Sequence, residues 1–129
     1  VNQWAAVAAV AIGGALGSVL RFVVGTFFLQ RVGAGFPWGT FVINISGAFA
    51  IGIVMQLAQT RIGLNPYARL FLATGILGGY TTFSAFAYET YLLSRDALSL
   101  QSVWYGFGSV LAGVAAAFLG IVIARAVFA

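Results

Sequence analysis

Four stretches of this chain, at about 4–29, 38–59, 67–93 and 103–128, stay apolar for longer than a globular core element requires. A helix needs roughly 20 such residues to cross the hydrocarbon of a bilayer, and each stretch meets that length. No aqueous fold of this size could bury so much hydrocarbon. The expected architecture is an all-α membrane protein with four transmembrane helices per subunit, forming a single domain over residues 1–129. Composition agrees. Of 129 residues, 62% are hydrophobic and 6% charged, against about 25% charged in ordinary soluble domains. The charges are Arg21, Arg31, Arg61, Arg69, Arg95 and Arg125 against Glu89 and Asp96, and most fall at the ends of the apolar runs.

Several functions are made improbable at once. Without cysteine or histidine, the chain has no disulfide or thiolate chemistry and lacks the commonest metal ligands. Six dispersed arginines form no basic patch for nucleic acid. The first apolar run is long enough to span and has no basic region before it, so no cleavable signal is expected. The chain starts at Val1, which leaves room for residues upstream. The connections are short and carry turn residues: Gly33, Gly35 and Pro37, then Gly63, Asn65 and Pro66. Pro66 suits the first turn of a helix, where its missing N–H costs little.

Loop charge gives only a weak orientation. Arg61, Arg69 and Arg125 would lie on one side and Arg31 and Arg95 on the other, and a bias in basic residues is what orients membrane helices. A near balance permits insertion both ways and hence an antiparallel homodimer. Four short helices also enclose little volume, which favours oligomerisation. Small residues for close packing abound, including Gly13 and Gly17 in the spacing of a small-xxx-small face.

Polar groups inside the spans are costly and mark candidate sites. Arg21 lies deep in the first span, as an arginine reaching for headgroups or as a cation at a vestibule that concentrates anions. Asn44 in the second span offers neutral donors and an acceptor, for interhelical bonding or for an anion path. Tyr105 and Ser109 are four apart in the fourth span and share a face. The third span carries "GILGGYTTFSAF". Gly78 and Gly79 weaken the helix, and Thr81 and Thr82 can bond locally instead. A break between Gly78 and Thr82 would free backbone groups at mid-membrane, tolerated only in protein or facing a cavity. Phe83 and Phe86 follow on one face, either as lipophilic filler or as aromatic edges whose partial positive charge suits an anion. Glu89 is the one carboxylate in the apolar spans, a vestibule or pairing residue.

These residues resemble the small fluoride channels called Fluc or CrcB. "GGYTTFSAF" is similar to the third-helix motif of that family; "GGALGSVLRF", "PWGTFVINISGAFAIG" and "YGFGS" match the others in order, over essentially the whole chain. The resemblance implies a dual-topology antiparallel homodimer in the bacterial inner membrane with two fluoride pores, acting by passive efflux. It implies a structural sodium ion at the dimer interface, held by the backbone carbonyls of Gly78 and Thr81. Asn44, Phe83 and Phe86 would be pore residues, with Ser84, Tyr105 and Ser109 on a polar track. Arg21 and Glu89 match the family's first-helix arginine and third-helix glutamate, at a vestibule or gate. Ala85 stands where a second hydroxyl is frequent.

A small proton-coupled multidrug exporter shares the four-span layout, but needs a buried carboxylate that the first span lacks. A purely structural subunit gains nothing from a broken helix. An enzyme has no second carboxylate to pair with Glu89.

Overall fold

Asn2 opens the first helix, Gln3–Val32: its Oδ1 accepts the N–H groups of Trp4 and Ala5 at 2.9 and 3.2 Å, supplying partners that a helix start lacks. The helix stops at Gly33, whose positive φ of 77° suits glycine. The second helix, Trp38–Ala58, follows Pro37. Asn65 caps the third span through the N–H of Tyr67, with Pro66 in the first position, and the span runs over Pro66–Arg95. The fourth helix is Ser99–Phe128. The structure, a computed structural model, describes residues 1–60, 63–95 and 99–128. Arg61 and Asp96, used in the charge reading, lie outside them.

All four spans are long and apolar enough to cross a membrane. Thirty residues of helix reach about 45 Å, enough for hydrocarbon and headgroups. Large apolar side chains such as Phe22, Phe107, Leu111 and Phe118 are exposed along the outside, as a lipid-facing surface requires.

Packing is pairwise. The second helix lies along the fourth, and the first lies along the opening half of the third span. Small residues set both approaches. A Cβ on Gly52 would overlap the carbonyl oxygen of Ala117, and one on Gly120 that of Phe49. In the other pair, a Cβ on Gly17 would overlap the Ile76 carbonyl, and one on Gly79 would lie 2.5 Å from the Gly14 oxygen. Van der Waals contact is the main attraction between helices in lipid, so such approaches carry the association. Gly17→Ala is expected to destabilise the protein by about 1–3 kcal/mol, the range for overpacking. Gly108→Ala, with nothing within 4 Å of its added methyl, should not lower the thermal unfolding midpoint in detergent, since alanine is the better helix former. Equal midpoints for the two variants would contradict this packing.

The third span is not one regular helix. An α-helical turn, Pro66–Arg69, passes into a π-helical stretch, Leu70–Leu77, then into Gly78–Tyr80, which is α-helical again. Thr81 and Thr82 are non-helical, and Phe83–Arg95 completes the span. The break is therefore narrower than the glycines suggest. Gly78 keeps helical angles, φ −64° and ψ −36°, and Gly79 serves close approach to the first helix. The turn in direction falls on Thr81, whose ψ is 157°.

Candidate functional site

The break is held by side chains that replace helical hydrogen bonds. Thr81 still points its N–H at the Leu77 carbonyl, 3.0 Å away, and its hydroxyl donates there too at 2.9 Å. Beyond it the ladder stops. The Thr82 N–H donates to Asn44 Oδ1 at 2.9 Å, and Asn44 Nδ2 returns a bond to the Thr82 carbonyl at 3.0 Å. The Ala85 N–H donates to Thr82 Oγ1 at 3.2 Å, a capping contact for the second half of the span. In a continuous helix those two N–H groups would have served the carbonyls of Gly78 and Thr81. Both have been diverted. The neighbouring Gly79 carbonyl accepts instead from Arg21 Nε at 3.0 Å. Tyr80, itself buried, pairs its hydroxyl with Ser46 at 2.9 Å and so ties this turn to the second helix.

A groove of about 420 Å³ opens on this turn, lined by Asn44, Gly47, Leu77, Gly78, Thr81 and Phe83 among others. Glycine at 47 makes room, since a Cβ there would overlap the Thr81 methyl. Phe83 stands at its edge with 78% of its surface exposed. Irregular backbone at this depth cannot face hydrocarbon.

A file of aromatic rings leads away from the break. Phe83 and Phe86 have centroids 5.7 Å apart, Phe86 and Tyr105 5.2 Å, Tyr105 and Phe36 5.3 Å, and Phe36 and Trp38 4.7 Å. Each contact is tilted or edge-on, the geometry that the ring quadrupole favours. Beside the file lies Glu89. Its two oxygens accept from Thr40 Oγ1 at 2.7 Å and from the Tyr105 hydroxyl at 2.9 Å. The carboxylate thus sits between the second and fourth helices with both oxygens engaged, and it also lines a cavity of about 330 Å³ toward Phe36 and Trp38. One turn beyond Tyr105, Ser109 is buried, and its Oγ has no hydrogen-bond partner among the described residues.

The structure therefore brings together most residues singled out in the sequence, in two groups. Arg21, Asn44, Gly78, Thr81 and Phe83 meet at the break. Phe86, Glu89, Tyr105 and Ser109 follow along the second half of the span. Ser84 is exposed beside the break, its Oγ 3.3 Å from Thr82 Oγ1. Asn44 makes the interhelical bond that the sequence left open beside an anion path, with its oxygen and one donor committed to Thr82. Tyr105 turns its hydroxyl to Glu89, so the carboxylate is paired. Sequence reasoning missed Thr40 and Phe36. Thr40 could have been found, because it precedes Asn44 by four residues and so shares its face. Phe36 lies in a connection, where spacing says nothing about contacts.

Comparison with known proteins adds an independent finding. Residues 8–121 match the family described as CrcB-like protein, Camphor Resistance (CrcB). A relative from Solibacter usitatus (strain Ellin6076) is 48% identical over 120 residues, covering 90% of this chain and 95% of its own length. One from Rhizobium meliloti (strain 1021) is 44% identical over 117 residues, with 91% and 94% covered. One from Nitrobacter winogradskyi is 45% identical over 125 residues, with 97% and 99% covered. Each bears the name fluoride-specific ion channel FluC.

Proposed function

Since the chain belongs to the CrcB family, we propose that it is a fluoride-specific ion channel of the bacterial inner membrane that lets fluoride leave the cell passively. The observation that carries this reading is the broken third span, where backbone and aromatic edges meet at mid-membrane. Fluoride is small and holds its water tightly, so a pathway must replace that shell without trapping the ion. Neutral donors and ring edges meet that need better than a buried lysine would. Here the candidates are the second Nδ2 hydrogen of Asn44, the edges of Phe83 and Phe86, and the hydroxyls of Ser84 and Ser109. Tyr105 would serve by shifting its proton from Glu89 toward a passing anion. Arg21 would shape the field at the break and Glu89 along the second half of the span, as vestibule or gating charges. An enzymatic role has no support from this arrangement.

The exposed groove at the break supports a second copy as its cover. A twofold partner in the opposite orientation would close two grooves at once, and the near balance of loop arginines allows both insertions. Two pores would result, one on each side of the axis. The same groove fits a small hard cation. Among the described residues no cluster of histidine, cysteine or carboxylates could hold a metal, but the Gly78 and Thr81 carbonyls have lost their helical donors. Carbonyl oxygens are the ligands such ions take. A sodium ion there would neutralise dipoles that the break leaves exposed.

Efflux from liposomes loaded with potassium fluoride, read by a fluoride electrode, tests the function. Release should start when valinomycin allows charge to balance, and should need no proton gradient. If fluoride stayed inside while a cationic dye exchanged for protons, the exporter reading would replace this one. Dialysis against a large organic cation should abolish most of the flux and readdition of sodium should restore it. Unchanged flux after verified sodium removal would count against the cation site.

A further inference from the structure

Arg21 makes a contact that the anion path does not require. Its Nε donates to the Gly79 carbonyl from the far end of the first helix's contact face. That face runs Gly14, Ser18, Arg21, residues four and three apart and so aligned. A Cβ on Gly79 would lie 3.1 Å from both the Gly14 Cα and the Ser18 nitrogen. The backbones are therefore close enough for the guanidinium, one turn on, to reach the carbonyl. The outcome at the break is selective. Gly78 and Thr81 lose their helical donors, to Asn44 and Thr82 respectively, whereas Gly79 between them receives a charged one.

We propose that Arg21 is a positioning residue that withholds the Gly79 carbonyl from the break, so that the cation site is limited to the carbonyls of Gly78 and Thr81 and prefers sodium to potassium. This rests on the cation reading given above. The charge of Arg21 repels sodium and potassium alike and cancels in the ratio of their affinities. The number and placement of carbonyls do not cancel, because a larger ion is accommodated by more oxygens in a looser cage. Arg21→Met keeps the reach of the side chain and loses the donor, which frees the Gly79 carbonyl to turn into the break. Arg21→Lys keeps a donor and the charge.

Equilibrium dialysis of the purified protein with radioactive sodium, with and without competing potassium, gives the ratio without reference to flux. The preference for sodium should fall about fivefold or more in Arg21→Met and stay within about twofold in Arg21→Lys, as expected when ligand number sets selectivity. Arg21→Leu, which has no donor, should show the same fall and stands in if the methionine variant does not assemble. A wild-type ratio in the Met or Leu variant, whatever its absolute affinities, would overturn the inference while leaving the cation site intact. A wild-type protein that binds neither ion would overturn both.

Discussion

Phe86→Ile is expected to lower fluoride efflux by about a hundredfold or more, which requires about 2.7 kcal/mol of added barrier. Phe86 stands between Phe83 and Tyr105 in the file of rings, 5.7 and 5.2 Å from them. Isoleucine is nearly as large and as apolar, so helix packing should survive. What disappears is a ring edge with partial positive charge, at a depth where little water remains to solvate the anion. Phe83→Ile should have a comparable effect for the same reason. Its ring is 78% exposed in the single chain, so its loss costs that chain little folding energy, and assembly is checked separately. Electrode-read efflux, beside size-exclusion profiles matching wild type, checks both variants. Flux within about threefold of wild type in both would remove the rings from the pathway, since that corresponds to well under 1 kcal/mol of barrier.

Asn44→Asp should be as severe, through two effects that add. The amide now makes a reciprocal pair with Thr82, donating to its carbonyl and accepting its N–H. A carboxylate keeps the second bond but sets an oxygen against the carbonyl oxygen in place of the first. It also adds a negative charge to the anion's route. At about 4 Å and an effective dielectric of about 20, like charges repel by about 4 kcal/mol, and screening by water at the groove would reduce this. An efflux loss of about a hundredfold or more is expected even after such a reduction. Asn44→Ala separates the effects, because it removes both Thr82 bonds without adding charge. It should lower the thermal midpoint and cost less flux than the aspartate. Equal flux in the two variants would assign the whole effect to the break geometry.

Much of this was legible in the sequence because hydrocarbon length is a one-dimensional signal. The four spans required only runs of apolar residues, and Pro66 after Asn65 marked a helix start. The interruption in the third span was visible too, but its position was not resolved. Glycine lowers helix propensity, yet Gly79 is helical because it faces the backbone of the first helix. Thr81 and Thr82 break the helix because Asn44 and the threonine hydroxyls accept or supply the diverted bonds. The π-helical stretch at Leu70–Leu77 left no mark in composition, since nothing about "LFLATGIL" distinguishes it from an ordinary membrane helix. The engagement of Glu89 by Thr40 and Tyr105 joins three helices and depends on how they pack. So does the reach of Arg21 to Gly79. Sequence identified these polar residues as expensive; only tertiary contacts showed what each is bonded to.

Planar-bilayer recording with equal chloride and a tenfold fluoride gradient measures the selectivity of the pathway itself. Currents from the wild-type protein should reverse within a few millivolts of the fluoride equilibrium potential, about 59 mV from zero for a tenfold gradient of a monovalent ion. Reversal well short of that potential, toward zero, would mean that chloride carries current too and would contradict a fluoride-specific channel.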